Sequence, residues 1–272
     1  MIYYSPAKIN LGLQILEKRA DGFHEISTLL YPVPFSDIIE INAGQKGDEK
    51  FSMTHSGIPV PGDLPTNLCY KAWKLFCVTC EALPVRLHLH KQIPVGAGLG
   101  GGSSNAATVL KGLNEMTGNK MGTEDLIELS SRLGSDCSIF VKNEPAMAGG
   151  RGEILSASQV DLSDSYLVLV FPNFAVNTAW AYSNCTPEKG RGDLEEILNQ
   201  SPQEWKERLK NDFEPVISKV YPGVLTIREQ LYEAGAYYAA MSGSGSSIYG
   251  LFTDQPVLPR NIAGNVIWSG QL

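Results

Sequence analysis

The sequence lacks the features that mark small secreted, membrane-spanning and nucleic-acid-binding proteins. Its five cysteines among 272 residues match neither the even count nor the density of a disulfide-rich scaffold. Its longest apolar runs, Tyr166 to Phe171 and Ala236 to Met241, fall far short of the ~20 residues that cross a bilayer as a helix. Basic residues number 22 against 29 acidic ones, whereas nucleic-acid binders usually carry a basic surplus.

These absences set expectations for location and partners. The first residues, MIYYSP, lack the basic and apolar regions of a signal peptide, and the cysteine count fits a reducing compartment, so we expect a cytoplasmic protein. We expect neither nucleic acid nor a membrane as a partner, and a homodimer stays open. A small anionic ligand is compatible with the net charge of -7, because one local site can be positive on an acidic protein.

Alternating β-rich and helical segments predict an α+β fold with two lobes, comprising residues 1–150 and 151–272. The predicted strands share alternating or continuous apolar residues: Ala7 to Leu16, Ile26 to Val33, Asp37 to Ile41, Val85 to Leu89, Tyr166 to Phe171, Tyr237 to Met241 and Ile248 to Phe252. The predicted helices are Asn67 to Leu83, Ser103 to about Met116, a third that Thr123 caps, and others between about Asn177 and Ala234.

The most informative segment is PVGAGLGGGSS, the glycine loop from Pro94 to Ser104. Five of the seven residues from Gly96 to Gly102 are glycine, which costs backbone entropy, so something requires the bare backbone there. A glycine-rich turn between a strand and a helix aims several N–H groups at an anion. We therefore predict a phosphate loop, with a tight packing turn as the alternative. Its residues are Pro94, Val95, Gly96, Ala97, Gly98, Leu99, Gly100, Gly101, Gly102, Ser103 and Ser104.

Three known loop types fit this segment poorly. The chain contains no Gly-Lys pair, which a P-loop requires. Gly96, Gly98 and Gly101 have the spacing of a dinucleotide fingerprint, but the loop follows a β-rich region and leads into a second helix instead of a second parallel strand. In protein kinases the glycines lie between two strands. The loop by itself indicates phosphate, and a dinucleotide-binding oxidoreductase remains an alternative.

Three segments together resemble the GHMP kinases, in order and spacing along the whole chain. They are SPAKINL from Ser5 to Leu11, the glycine loop, and MSGSGS from Met241 to Ser246. DGFHE from Asp21 to Glu25, LGSD from Leu133 to Asp136 and the triple glycine of the loop are similar to the branch of that family that phosphorylates a cytidine diphosphate-linked methylerythritol. Another GHMP kinase, acting on homoserine, mevalonate or a sugar, is the alternative.

The resemblance implies a two-lobe α+β kinase that uses ATP and Mg²⁺ to phosphorylate the 2-hydroxyl of the methylerythritol unit; we assign no metal-ligating side chain. It implies that Asp136 takes the acceptor proton and that Lys8 holds Asp136 and the hydroxyl. Lys8 is a lone cation on an otherwise apolar strand, and a buried lysine needs an anionic partner. From the residues alone, a solvated lysine and a capping aspartate are the simpler interpretation. Ser242 to Ser247, the C-terminal glycine segment, is expected to pack against the glycine loop.

The resemblance also implies four acceptor-binding residues, Asn10, Phe23, His24 and Thr178. Asn10 shares its strand face with the lysine. Phe23 stands where the family usually has tyrosine, so a ring is kept and a hydroxyl is lost. His24 is predicted to bond the cytosine edge, with a surface histidine of a hairpin as the alternative. Thr178 is predicted to lie near the acceptor, with an N-cap threonine as the alternative.

Overall fold

The computed structural model describes residues 1–45, 49–80 and 84–272, which fold into two compact units. The first unit comprises residues 1–7, 32–95 and 100–144, and the second comprises residues 8–31, 96–99 and 145–272. The chain therefore passes between the units several times. Helices and strands occur in both units, which confirms the predicted α+β class. The lobes predicted at 1–150 and 151–272 stay a prediction.

The described ranges contain ten strands and ten helices, apart from short 3-10 turns. The strands are β1 (Ile2–Lys18), β2 (His24–Ala43), β3 (Phe51–Gly57), β4 (Val85–Lys91), β5 (Ala146–Gly149), β6 (Ile154–Ala157), β7 (Tyr166–Val170), β8 (Tyr238–Met241), β9 (Ile248–Phe252) and β10 (Val266–Gln271). The helices are α1 (Leu68–Thr79), α2 (Gly101–Met116), α3 (Thr123–Ser131), α4 (Ile139–Lys142), α5 (Thr178–Asn184), α6 (Leu194–Leu198), α7 (Trp205–Arg208), α8 (Glu214–Val220), α9 (Gly223–Glu233) and α10 (Arg260–Ala263).

The first unit packs helices against the strands that lead into the glycine loop. β4 pairs antiparallel with the second half of β2, where Ile38 lies opposite His90. On its other side β4 pairs parallel with β3, where Phe51 lies opposite Val85. Helices α1 and α2 pack against each other, and α2 is buried along most of its length. The glycine loop therefore joins two buried elements, the end of β4 and the start of α2.

Two helix boundaries of the first unit differ from the predicted ones. α2 begins at Gly101 and not at Ser103, because Gly100 has a φ of +69° and, in that left-handed conformation, forms the residue before the helix. α1 ends at Thr79, since the next residue is extended. The predicted end of that helix, Leu83, lies outside the described residues.

The start of α3 corrects one capping prediction. Thr123 is the first residue of the helix, and Gly122 is its N-cap. The N–H of Gly122 donates to Asp125 Oδ2 at 3.0 Å. Two acidic residues, Glu124 and Asp125, lie in the first turn as predicted, where negative charge complements the helix dipole. The acidic turn was therefore predictable, whereas the capping residue was assigned one position too late.

β2 is one strand of 20 residues where the sequence predicted two. Pro32 and Pro34 fall in its middle, and proline usually interrupts a strand because it has no N–H to donate. Both prolines lie on the more exposed side, while Tyr31, Val33 and Phe35 between them are buried. The period-2 alternation continues through the prolines, so the strand is not broken.

The second unit is built around a four-stranded antiparallel sheet in the order β10-β7-β9-β8. Helix α9 packs against β8 and β9, and α8 packs against α9. The first half of β2 pairs antiparallel with β5, and β5 pairs with β6. Strands β5, β6 and β10, like β3 of the first unit, were not predicted. In the described ranges, no helix combines the length and apolar character needed to span a membrane.

Candidate active site

The predicted lysine is buried in the second unit. Lys8 on β1 is 3% exposed. Its Nζ donates to Asn10 Oδ1 and, at 3.1 Å, to the carbonyl of Gly98 in the glycine loop. Asn10, equally buried, donates from Nδ2 to Thr28 Oγ1 at 3.0 Å, and Tyr249 OH donates to the Asn10 carbonyl at 2.7 Å. The solvated-lysine interpretation is wrong, because the ammonium is held inside the protein by neighbouring oxygens.

The C-terminal glycine segment packs on the same part of the loop, as expected. Ser242 Oγ donates to the Gly98 carbonyl at 2.9 Å, and Ser247 N donates to the Ala97 carbonyl at 3.0 Å. Gly98 has a φ of +77°, and a Cβ added there would lie 2.0 Å from the Ser242 carbonyl oxygen. Gly98 therefore has to be glycine on two counts, its backbone conformation and the close approach of a second backbone.

In the first unit, the loop continues into the N-terminus of α2. Gly102 is exposed and Ser103 is half-buried at this first helical turn. Gly101 differs from its neighbours: its φ lies outside the left-handed region, and a Cβ there would meet Lys91 Nζ at 2.8 Å and Ile93 Cγ2 at 2.9 Å. Gly101 is therefore required for packing inside the unit, whereas Gly102 lies at the surface where a ligand has access.

A buried ion pair beneath this turn was missed from the sequence. Asp37 is fully buried and accepts hydrogen bonds from Lys91 Nζ, Gln92 N (2.7 Å), Ile93 N (2.9 Å) and Asn105 Nδ2 (2.9 Å). Burial lowers the pKa of Lys91, and the neighbouring carboxylate offsets part of that effect. The available signal was an aspartate at the start of one predicted strand and a lysine at the end of another, but a sequence does not show that they meet.

Ser104 is part of the same buried network. Its side chain is fully buried and shares a hydrogen bond of 2.8 Å with Ser5 Oγ, which also accepts from Asn105 Nδ2 at 3.0 Å. Its backbone N–H donates to the Gly100 carbonyl at 2.9 Å, as the first bond of the helix. The hydroxyl and the backbone N–H of Ser104 therefore both have partners within the first unit, and its predicted contact with nucleotide stays a prediction.

Asp136 lies in the first unit, in a 3-10 turn from Ser135 to Cys137 that follows α3. It is half-buried. Burial raises the pKa of the adjacent Cys137 thiol to about 12. The turn that carries Asp136 packs against α2. Lys8 belongs to the second unit, and the predicted pairing of Lys8 with Asp136 stays a prediction.

The predicted cytosine-binding hairpin shows two ring contacts in the second unit. His24 stacks on Tyr182, with ring centroids 5.0 Å apart and planes inclined by 14°. Burial, together with the charge of Lys18, lowers the pKa of His24 below its ordinary value of 6.5. Phe23 is 51% exposed, and the Arg151 guanidinium lies 4.7 Å from its ring centroid. The hairpin therefore presents an exposed ring, a neutral imidazole and a nearby cation.

Thr178 contacts the C-terminal glycine segment. It is the first residue of α5, and the N-cap is Asn177, whose side chain accepts from Trp180 N at 3.0 Å. The N-cap interpretation of Thr178 is therefore wrong. Its hydroxyl instead shares a hydrogen bond of 2.9 Å with Ser244 Oγ. Within the second unit, Lys8, Asn10 and Thr178 are thus all linked to the glycine segments, and His24 of the hairpin stacks on Tyr182 of the helix that Thr178 begins.

The described residues contain no group of three side chains that could together hold a metal ion, counting histidine, cysteine, aspartate and glutamate. A magnesium ion in phosphoryl transfer is commonly held by substrate phosphates with one or two carboxylates. The positive φ angles of Gly96, Gly98 and Gly100 form the kind of bare backbone turn that fits phosphate. The residues present therefore fit a nucleotide whose phosphates supply most of the magnesium ligands.

Two segments of the chain, one in each half, match models of a known protein family. Residues 67–143 match the GHMP kinases N terminal domain, and residues 193–260 match the GHMP kinases C terminal domain. The first match contains the glycine loop and Asp136, and the second contains the C-terminal glycine segment. The two matches follow the order predicted from the sequence.

Individual relatives are similar over nearly the whole chain. A Bacteroides fragilis protein named 4-diphosphocytidyl-2-C-methyl-D-erythritol kinase is 44% identical over 260 residues, covering 96% of this chain and 95% of its own. A Parabacteroides distasonis protein of the same name is 42% identical over 274 residues, with full coverage of both. A crystal structure of 4-(cytidine 5'-diphospho)-2C-methyl-D-erythritol kinase has a TM-score of 0.77 at 32% identity, covering 92% of this chain and 90% of its own.

A more distant structure shows how widely the fold is shared. The crystal structure of homoserine kinase from Cytophaga hutchinsonii has a TM-score of 0.68 at 17% identity, covering 92% of this chain and 86% of its own. At that identity the likeness concerns the fold alone. Two kinases with different acceptors in their names therefore share one architecture, so the acceptor has to be argued from particular residues.

Proposed function

Since this chain belongs to the 4-diphosphocytidyl-2-C-methyl-D-erythritol kinases of the GHMP family, we propose that it transfers a phosphoryl group from ATP to the 2-hydroxyl of 4-diphosphocytidyl-2-C-methyl-D-erythritol. This reaction belongs to the non-mevalonate route to isoprenoids. The observation that carries the proposal is the contact, at 3.1 Å, of the buried Lys8 ammonium with the Gly98 carbonyl of the glycine loop. A cation in that position lies beside a loop whose backbone suits phosphate.

The glycine loop is proposed to bind the ATP phosphates mainly through its backbone. The first N–H groups of a helix have no partner within the helix, and its N-terminus carries partial positive charge. Gly102 and Ser103 occupy that position in α2 and are not buried. Gly98 and Gly100 supply the left-handed turns before it. Ser104 is proposed to support the loop from within the first unit, since its side chain is buried.

Lys8 and Asp136 are proposed to act on the acceptor hydroxyl. The new bond joins the acceptor oxygen to the γ-phosphorus, the bond to ADP breaks, and the hydroxyl proton has to leave. Asp136 would orient the hydroxyl and take that proton, while Lys8 would stabilise the charge on the transferred group. Because the transition state of phosphoryl transfer is loose, positioning and electrostatic stabilisation contribute more than the strength of the base. Orienting the hydroxyl is therefore proposed as the main contribution of Asp136.

The acceptor is proposed to lie against two groups of residues. Asn10 and Thr178, both linked to the glycine segments, would contact the methylerythritol end. Phe23 would stack on the cytosine, and His24 would bond its pairing edge as the neutral imidazole that the lowered pKa favours. A site that bonds a polar edge rejects analogues without that edge, because its own groups are left unpaired.

Three further properties are proposed for this enzyme. Mg²⁺ would enter with the ATP phosphates, which need a cation to offset their charge. The reaction would take place in the cytoplasm, in keeping with the cysteine count. The acidic net charge of -7 disfavours nucleic acid as a partner. A homodimer stays a prediction, which the elution volume in size-exclusion chromatography with light scattering checks directly.

Turnover measurements with a matched pair of variants test the proposal. The wild-type enzyme should form ADP with the cytidine diphosphate-linked acceptor and not with homoserine, mevalonate or galactose. Asp136→Asn keeps the shape and removes the charge, so kcat should fall by roughly 10²–10⁴-fold with ATP affinity retained. Asp254→Asn, the same change at an exposed position, should leave kcat unaltered. Turnover of another acceptor, or an Asp136→Asn kcat within about tenfold of wild type, would contradict the proposal.

A further inference from the structure

Residues 210–214 of the second unit include two polar side chains, those of Asn211 and Glu214, that have no role in the proposed chemistry. Asn211 is 3% exposed and Glu214 is 7% exposed, so both are nearly buried. Buried polar side chains cost free energy unless their hydrogen-bonding groups have partners. The partners of these two residues show what the segment holds together.

Asn211 binds the C-terminal glycine segment through both hydrogens of its amide. Its Nδ2 donates to the carbonyls of Met241 at 2.7 Å and of Gly243 at 2.8 Å. Its Oδ1 accepts from Phe213 N at 3.0 Å, which fixes the orientation of the amide. A single side chain thus holds two carbonyls on either side of Ser242, the residue that bonds to the glycine loop.

Gly243, whose carbonyl accepts from Asn211, lies close to the Lys8 ammonium. It has a φ of +55°, and a Cβ added there would lie 3.4 Å from Lys8 Nζ and 3.2 Å from Asn10 Oδ1. It would also lie 3.2 Å from the Gly98 carbonyl oxygen. The backbone held by Asn211 is therefore in direct packing range of the Lys8 ammonium and of the Asn10 and Gly98 oxygens that accept from it. A shift of Gly243 would move or crowd the lysine.

The same segment is also bonded to the strand that carries Lys8. Leu13 N donates to the Lys210 carbonyl and Asp212 N donates to the Leu13 carbonyl, both at 2.9 Å. Ile15 N donates to Asp212 Oδ2 at 2.8 Å. The segment therefore holds β1, the strand of Lys8, with one set of bonds and the Met241 and Gly243 carbonyls with another.

We propose that Asn211 is a positioning residue for Lys8: its amide fixes the Met241 and Gly243 carbonyls and so sets where the lysine ammonium lies. This inference rests on the proposed role of Lys8 in phosphoryl transfer. Because Asn211 is nearly buried, it is proposed to act through the lysine and not by contacting substrate. Its loss should lower kcat and leave the KM values for ATP and acceptor nearly unchanged, because the binding surfaces persist while the charge that acts in the transition state is displaced.

Asn114 offers a matched control for the cost of losing a buried amide. It is 4% exposed, its Nδ2 donates to the Met121 carbonyl at 2.9 Å, and its Oδ1 accepts from Met121 N at 2.9 Å. It lies near the end of α2 in the first unit, away from Lys8 along the chain. Asn211→Ala and Asn114→Ala should therefore lower the thermal midpoint by comparable amounts, while their effects on kcat should differ.

The experiment combines kinetics with amide hydrogen exchange. Asn211→Ala should lower kcat by roughly 30-fold or more relative to Asn114→Ala, with each KM within about threefold of wild type. Amide exchange across residues 242–247 should be faster in Asn211→Ala and unchanged in Asn114→Ala. Asn211→Ser retains one donor and should give an intermediate kcat, which a general loss of packing would not produce.

Equal kcat values for Asn211→Ala and Asn114→Ala, or unchanged exchange across residues 242–247, would overturn the inference. Should Asn211→Ala fail to fold, Asn211→Ser decides the question, and a wild-type kcat in that variant would overturn it. Wild-type turnover and the Lys8→Ala variant distinguish the possible failures. If the wild-type enzyme does not turn over the cytidine diphosphate-linked acceptor, the proposed function fails; if Lys8→Ala retains turnover, the proposed role of Lys8 fails; if Lys8→Ala is inactive and Asn211→Ala is fully active, the positioning inference alone fails.

Discussion

The glycine loop and the hairpin of Phe23 and His24 depend on opposite properties of the chain. In the loop, the backbone and the lack of side chains matter: Gly98 lies against another backbone, and Gly101 lies against Lys91. In the hairpin, exposed side chains matter, and Phe23 is 51% exposed. Substitutions in the loop should therefore affect folding and turnover together, whereas substitutions in the hairpin should affect the choice of acceptor.

The difference also separates glycines that look alike in sequence. Gly22, in the hairpin turn, and Gly98 both have positive φ, at +86° and +77°. A Cβ at Gly22 meets nothing within 4 Å, whereas one at Gly98 meets the Ser242 carbonyl oxygen at 2.0 Å. The two positions therefore share the conformational cost of a side chain and differ in the steric one.

The largest effect is expected for Gly98→Ala. The variant combines an unfavourable φ with a clash against backbone, so we expect about 3 kcal/mol of lost folding free energy and no measurable turnover. Gly22→Ala carries the φ penalty alone and should cost about 1 kcal/mol with activity retained. Urea denaturation of both variants, followed by steady-state assays, measures the difference. Equal free energies of unfolding for the two variants would show that the close approach of the Ser242 backbone to Gly98 does not affect stability.

The next largest effect is expected for Gly101→Val. The added side chain points at Lys91 and Ile93, so the variant should lose about 1–3 kcal/mol of stability through the buried ion pair. Gly223→Ala at the start of α9 is the control: a Cβ there would meet nothing within 4 Å, and alanine favours a helix. Thermal unfolding and an ATP titration should show both defects in Gly101→Val and neither in Gly223→Ala. A folded Gly101→Val with normal ATP affinity would contradict this role of Gly101.

A smaller and more selective effect is expected for His24→Ala. It should lower kcat/KM for the cytidine acceptor by roughly 1–3 kcal/mol and leave the KM for ATP nearly unchanged, because the imidazole is proposed to bond the base alone. Phe23→Tyr keeps the ring and should be tolerated. Assays with cytidine and uridine forms of the acceptor check both statements. An equal kcat/KM for the two forms in the wild-type enzyme would contradict a role of the hairpin in acceptor specificity.

The smallest effect is a pH dependence of the same histidine. Burial and the charge of Lys18 lower the pKa of His24 from 6.5, so the folded protein binds this proton less readily than the unfolded chain. Its contribution to stability therefore rises as pH increases from the lowered pKa to 6.5, and falls as pH decreases through that window. Titration of His24 by NMR should give a pKa below 6.5, and Lys18→Ala should raise it. A His24 pKa at or above 6.5 would contradict the burial described here.

Local patterns predicted the parts of this fold that depend on neighbours in sequence. The alternation from Ala7 to Leu16 identified most of β1, and the glycine spacing identified the loop before α2. The exact start of α2 could not be predicted in this way. Gly100 is one of three consecutive glycines, and a sequence does not reveal which of them takes the left-handed conformation. The helix start was therefore misplaced by two residues.

The parts that were not predicted depend on contacts between distant residues. Asp37 and Lys91 are 54 positions apart, and Asn211 and Met241 are 30 apart. Each residue alone has a plausible solvent-exposed interpretation, and its partner becomes known only when the strands are assembled. For the same reason, the glycine requirement at Gly101 could not be separated from phosphate binding.

The side chains around β8 have a consequence for assembly. β8 is the last strand of its sheet, and the outer edge of such a strand normally offers free N–H and C=O groups to another chain. Here the Ala239 carbonyl accepts from Tyr232 OH at 3.1 Å, Met241 N donates to Glu214 Oε1 at 2.7 Å, and the Met241 carbonyl accepts from Asn211. A second copy therefore cannot extend the sheet by pairing along β8, and this edge is protected against strand-to-strand aggregation. A dimer of this kinase would therefore not form by strand pairing along β8.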